Sequence, residues 1–215
     1  MRVAAIIGAT GATGSELSNI LADSEEYSRV QLFSRTLPSI THDKIEAHTV
    51  DFKSIDQWAS EINAADIFLC MGTTLKKAGS KQAQFEVDYT YQANFARAAR
   101  ERGAKRCFVV SSPGANAGSS NFYLRMKGQL DEYVKSLDFE TILIKPSLIK
   151  APRPDLRLGE KVGSIIMAPA RFIPGLSYYR PIHARDLARA ISVIAASPEP
   201  LKQEYVLGDI QAQLA

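Results

Sequence analysis

A doubly wound parallel α/β sheet is the fold this sequence predicts, and three observations predict it. Short β-branched or apolar runs alternate with longer stretches of helical spacing. The strand-like runs are apolar on both alternating faces, as strands covered by helices on each side must be. A glycine-rich stretch, "GATGATG", follows directly on the first apolar run, where such a fold turns from strand into helix.

In chain order, residues 3–7 read as the first buried strand and residues 15–22 as the helix that follows it. Strands are expected at 30–34, 47–50, 67–71, 107–111 and 141–145, with helical spacing at 55–62, 82–100 and 123–137. Beyond Lys145 the rhythm breaks. Residues 150–182 are rich in Pro, Gly and Arg, residues 183–196 are helical in pattern and residues 204–207 strand-like. The expected layout is one Rossmann-type domain over residues 1–215, with a small irregular C-terminal lobe at 150–182 on the substrate side. Within that lobe, residues 159–175 include the apolar "GSIIMAPARFIPG", read either as a cover over the site or as a partner surface.

Composition narrows the classes. The chain has 215 residues, enough for a sizeable core, and its net charge of +3 is spread rather than clustered, so no nucleic-acid partner is expected. No apolar stretch reaches the roughly 18 residues that a membrane span needs. Cys70 and Cys107 lie inside apolar runs, which suits buried thiols in a reducing compartment. No secretory leader is expected ahead of the first strand-like run, and the expectation is a cytoplasmic protein. The three histidines are isolated, so no metal site is expected.

Gly8, Gly11 and Gly14 occupy the expected strand-to-helix turn, where a helix N-terminus offers free N–H groups and partial positive charge to an anion. Absent side chains let a pyrophosphate approach the backbone, and the last glycine lets helix and strand pack closely. The spacing is GxxGxxG rather than GxGxxG. After the second strand the chain reads "VQLFSRT", with Ser34 and Arg35 where an NAD site usually carries an acid. Arginine can pair with a 2′-phosphate and stack on adenine, so NADP(H) is preferred over NAD(H).

The second constellation follows the fifth strand, in "VVSSPGANAGSSNFYLRMKGQL". Tyr123 and Lys127 are four apart and share one helix face. Ser111 and Ser112 end the strand at the same carboxyl edge, where α/β ligands bind. A phenol is a poor base at neutral pH, and a neighbouring ammonium favours its ionised form. A serine hydroxyl would orient a substrate carbonyl while the phenol gives or takes the proton.

Together, "GATGATG", "SR" after strand two, "MGTT" after strand four, "SS" after strand five, "YLRMK" and "IKPSLI" resemble the short-chain dehydrogenase/reductase superfamily, in its atypical, Tat-interacting-protein-like branch. The resemblance runs from residue 1 to about residue 195. It implies a Rossmann fold, NADP(H) binding and a Ser-Tyr-Lys site. Thr10, Gly11, Ala12, Thr13 and Gly14 would then line the pyrophosphate, and Ser34 with Arg35 the 2′-phosphate. Asp51 and Phe52 would lie near the adenine, and Gly72 and Thr73 beneath the ribose. Lys127 would also hold the nicotinamide ribose, and Pro146, Ser147 and Leu148 would flank the nicotinamide. Ser112 matches the catalytic serine better than Ser111. Asp88 falls in the family's "VD" position, where a structural role is expected. His183, ahead of the last helix, is either structural or on the substrate side.

Two departures from the family remain. Only some 65 residues follow Lys150, fewer than extended members carry, which argues against sugar-nucleotide chemistry. Branch members also bind NADP as sensors or scaffolds. Two functions therefore stay open: an NADP-dependent oxidoreductase acting on a small carbonyl or alcohol, and a non-catalytic redox sensor or interaction protein. A homodimer pairing through the helical segment 82–100 is a further expectation by analogy.

Overall fold

The structure, a computed structural model, describes residues 1–150, 180–198 and 200–214. Strand β1 (Arg2–Ile7) pairs in parallel with β2 (Tyr27–Ser34) on one side and with β4 (Asp66–Leu69) on the other. Strand β3 (Ile45–Thr49) extends the sheet beyond β2, and β5 (Arg106–Val110), β6 (Glu140–Lys145) and β9 (Glu204–Val206) extend it beyond β4. The order is β3-β2-β1-β4-β5-β6-β9, all parallel. The strand order reverses between β1 and β4, the switch point at which open α/β sheets bind ligands beyond their carboxyl ends. A separate short ladder joins β7 (Ile149–Lys150) to β8 (Ile182–His183) in parallel.

Period-two alternation along fully buried strands gives the sheet two apolar faces. Ala5, Ile7, Ile67, Leu69, Val109 and Leu143 point to one core. Ala4, Ile6, Phe68, Phe108, Ile142 and Ile144 point to the other. The helices around the sheet are α1 (Ala12–Asp23), α2 (Leu75–Ala78), α3 (Lys81–Phe85), α4 (Tyr91–Glu101), α5 (Phe122–Lys135), α6 (Ala184–Ala196) and α7 (Leu207–Ala212). The first core lies under α4 and α5, and the second under α1, α6 and α7. This is the Rossmann-type architecture that the sequence predicts.

Three local expectations differ from the structure. Helix α1 begins at Ala12 rather than Ser15, because Gly11 takes the extended cap conformation and the helix continues through Gly14. Residues 55–62 are not an α-helix but parts of two 3₁₀ turns, Phe52–Gln57 and Ala59–Glu61. Phe52, Ile55 and Trp58 are buried at a spacing of three, which a 3₁₀ turn sets on one face. Residues 82–100 are helical, but a π-turn at Glu86–Thr90 interrupts the α-geometry between α3 and α4. That turn carries Asp88, which is buried. Of the C-terminal lobe, residues 151–179, including the whole of segment 159–175, lie outside the described residues.

Candidate active site

The turn after β1 is built for an anion. Gly8 has φ +83°, and a Cβ there would stand 2.6 Å from the Cys70 carbonyl carbon. A Cβ on Gly14 would meet the Gly8 carbonyl oxygen at 2.2 Å, so helix α1 rests directly on the end of β1. Its N-cap, Gly11, offers no side-chain hydrogen bond, and no acidic residue lies in the first turn. Ser15 N–H donates to Gly11 O at 3.0 Å, so the amides of Ala12, Thr13 and Gly14 precede the helical ladder. A bare helix N-terminus of this kind suits a pyrophosphate.

Two cavities open at this edge of the sheet, of about 510 and 560 Å³. They share a wall made by Gly11, Cys70, Met71, Gly72, Thr73 and Lys77, and so form one trough across the switch point. The smaller is bounded by Ala12, Thr13, Ser111, Ser112, Tyr123 and Lys127, with Pro146, Ser147 and Leu148 at its rim. The larger contains Gly8, Thr10, Arg35, Lys53, Glu86 and Tyr91. Glycines at the centre, a serine–tyrosine–lysine set at one end and two cations at the other give the trough the length and lining of a dinucleotide site.

At the first end, helix α5 sets the geometry. Asn121 caps it, accepting the N–H groups of Tyr123 and Leu124 at 2.9 and 3.2 Å. Tyr123 therefore sits in the first turn, 38% exposed, with Lys127 one turn further and only 3% exposed. The Lys127 ammonium donates to Val110 O at 3.2 Å and lies 3.6 Å from Asp88 Oδ1. Asp88 also accepts the Thr73 N–H at 2.9 Å, which fixes the loop after β4. Burial holds the Asp88 carboxyl above the usual carboxylate range, with Lys127 and the Thr73 N–H pulling it back. Asp88 is thus structural, as expected, but it also forms part of the cavity wall and holds Lys127.

The two serines differ. Ser111 is 5% exposed and donates to Asp131 Oδ2 at 2.7 Å. Ser112 donates only to the neighbouring Pro113 O, at 3.3 Å. Cys70 is in the wall of both cavities, but burial pushes its thiol up to about 12, against the pull of Lys127, so it is no nucleophile at neutral pH.

Most of the expected residues meet in the trough; Gly14, Ser34, Asp51 and Phe52 do not line either cavity. Gly14 is spent on the contact of α1 with β1. Ser34 is buried and donates to Thr36 O at 2.6 Å. Phe52 packs in the core against Trp58 and Tyr91. Asp51 caps the 3₁₀ turn by accepting the Lys53 N–H at 2.9 Å. Lys53 lines the trough in their place, beside Arg35, and both cations oppose the rise that burial and Glu86 impose on the Tyr91 hydroxyl. His183 is the exposed N-cap residue of α6 and lies in neither wall. Lys53, Lys77 and Asp131 went unnoticed in the sequence. Only Lys53 left a signal there, two residues after the acid that follows strand three.

Comparison with known proteins agrees with this geometry. A family model for NAD(P)H-binding proteins matches residues 8–165. Protein fmp52, mitochondrial, of Aspergillus fumigatus is 36% identical over 80% of this chain and 74% of its own length. Protein FMP52, mitochondrial, of Candida albicans is 30% identical over 86% and 83%. Among solved structures, a short-chain dehydrogenase/reductase superfamily protein from Agrobacterium tumefaciens with bound NAD superposes with a TM-score of 0.70 at 14% identity, covering 94% of this chain and 76% of that one. MoeE5 in complex with UDP-glucuronic acid and NAD gives 0.67 at 17% identity, over 91% and 73%. The relatives' names overturn the expectation of a cytoplasmic protein. Buried thiols and an apolar sheet suit any reducing compartment, so the features behind that expectation carry no address. Among the described residues no helix is long and apolar enough to cross a membrane. From the glycine turn to the serine–tyrosine–lysine end, the chain belongs to the NAD(P)H-binding family and carries the fold of the short-chain dehydrogenase/reductase superfamily.

Proposed function

We propose that this protein is an NADP(H)-dependent oxidoreductase that interconverts a small carbonyl compound and its alcohol. The observation that carries the reading is Lys127: a buried ammonium held by Val110 O and Asp88 at the wall of the cavity that Tyr123 and Ser112 also line. When bound, the nicotinamide cofactor supplies or accepts the hydride at the substrate carbon. The protein's own residues handle the oxygen. The Ser112 hydroxyl donates a hydrogen bond that orients the carbonyl. Tyr123 gives a proton to that oxygen in reduction and removes it in oxidation, and its partial exposure lets solvent restore the proton. Lys127 supplies the positive charge beside the phenol and has a further N–H for a ribose hydroxyl.

At the other end, Arg35 and Lys53 carry the preference for NADP(H). A 2′-phosphate between two cations gains charge-assisted hydrogen bonds that a ribose hydroxyl cannot make. Lys77, in the wall common to both cavities, would face the pyrophosphate. The exposure of Tyr123 favours a second reading, a sensor that binds NADP(H) without turnover.

The test follows NADPH consumption against aldehydes, ketones and quinones, with wild type beside Tyr123→Phe. The expected result is turnover that falls by about 10²–10⁴-fold in the variant, with NADPH affinity unchanged. A wild type that binds NADPH but consumes none with any of them would favour the sensor.

A further inference from the structure

Resting on that oxidoreductase reading, we infer that Asp131 is a positioning residue that divides labour between the two serines. By taking the one hydroxyl proton of Ser111 into a hydrogen bond, it leaves Ser112 as the hydroxyl that donates to the substrate oxygen.

A serine hydroxyl has a single proton to donate. That of Ser111 is committed to Asp131 Oδ2 at 2.7 Å, between two groups each 5% exposed. Ser111 can therefore offer the cavity only lone pairs, which a carbonyl oxygen has no use for. Ser112 makes a long contact of 3.3 Å to its own neighbour, and a ligand can replace it at little cost.

Asp131 is itself sparsely held. Its Oδ1 is buried with no hydrogen-bond partner among the described residues. The charged groups around it are Lys127 and Lys135 from α5 and Lys145 from β6. Each of the three is paired with another carboxylate. Glu204 of β9 takes Lys145 at 2.9 Å and Lys135 at 3.3 Å, and Asp88 takes Lys127. Burial pushes the Asp131 carboxyl up to about 6, against the Ser111 hydrogen bond and the three lysines. Once protonated, Asp131 becomes a donor to Ser111 Oγ and the bond reverses. The Ser111 proton is then free to face the cavity. Above that pH one serine donates; below it, both can.

Two experiments test this. The first measures NADPH-dependent turnover of Ser112→Ala from about pH 8 to about pH 5.5, relative to wild type at each pH. The relative activity should rise about tenfold on acidification, as Ser111 is released to replace the missing donor. Adding Asp131→Leu should give the same gain at neutral pH and remove the pH dependence. The second needs no turnover: an infrared titration of the Asp131 carboxyl in wild type, Ser111→Ala and Ser112→Ala. Ser111→Ala should move its midpoint upward by about one pH unit, because the one donor it has among the described residues is lost, and Ser112→Ala should leave it in place. A flat relative profile for Ser112→Ala, or a midpoint indifferent to Ser111→Ala, would overturn the assignment, and the pH profile decides even if Asp131→Leu does not fold. If the wild type turns over nothing, the oxidoreductase reading falls and the positioning role with it. The titration would still report whether Ser111 is captured.

Discussion

Two carboxylates, Asp66 and Asp88, are each only 1% exposed, sit at opposite edges of the same sheet and are compensated in opposite ways. Asp66 opens β4 at the amino edge. It accepts Tyr27 Oη at 2.7 Å and a two-pronged Arg106 at 2.8 and 2.5 Å, with Arg2 Nε at 3.3 Å. Arg2 and Arg106 also donate to Ala195 O at the end of α6, where cations meet the negative end of a helix. Asp88, at the carboxyl edge, has one backbone N–H and one ammonium at 3.6 Å. The first cluster closes on itself and leaves nothing for a ligand. The second is held loosely at a cavity wall, with a lysine that has hydrogen bonds to spare. Burial of charge alone does not mark function; a counter-ion shared with open space does.

The largest expected effect would break the structural member of that pair. Asp66→Ala leaves the Arg106 guanidinium and the Tyr27 phenol without the carboxylate they share, and Arg2 without its ion pair, and should cost about 3–5 kcal/mol in urea unfolding. The folded fraction should bind NADPH as wild type does. Next comes Asp131, with a single hydroxyl for a partner. Its folded value of about 6 lies above that of an unfolded aspartate, so its ionisation opposes folding. The stability it contributes is present below about pH 4 and lost as pH rises through about 6. Asp131→Asn should therefore gain on wild type across that window, by on the order of 3 kcal/mol, as read by unfolding at each pH.

Asp88→Asn sharpens the comparison from the other side. It should cost about 1–2 kcal/mol in stability but weaken NADPH binding about tenfold by calorimetry, because Lys127 loses its counter-charge. A stability loss as large as that of Asp66→Ala with unchanged binding would erase the distinction. The smallest effects lie at the exposed cations. Arg35→Ala should raise the NADPH dissociation constant about tenfold and Lys53→Ala about threefold. NADH affinity should stay level for both, with a shallower salt dependence for NADPH.

The fold was legible because period-two burial and helical spacing are local signals, and a glycine run after an apolar strand declares its turn. Tyr123 and Lys127 were legible for the same reason, being one helical turn apart. Lys77 and Asp131 were not, since their relevance comes from what the topology sets opposite them. The adenosine end shows the limit of carrying residues across by resemblance. Asp51 and Phe52 lie two residues and one residue short of Lys53, and the 3₁₀ turn spends the first on a cap and the second on the core.

Gly128 has no functional group, yet it sets a dimension of the site. A Cβ there would stand 2.2 Å from the Asn116 carbonyl carbon and 2.3 Å from the Ala117 nitrogen. Asn116 N–H also donates to Leu124 O at 3.1 Å. The stretch between Ser112 and Tyr123 thus lies main chain against main chain on α5. The gap between donor and phenol works as a gauge block, its thickness fixed by two backbones and beyond the reach of side-chain variation. Redesign of the pocket walls would change which molecules fit there without changing that gap. A single methyl at residue 128 would do the reverse, leaving Ser112 and Tyr123 intact and resetting the distance between them.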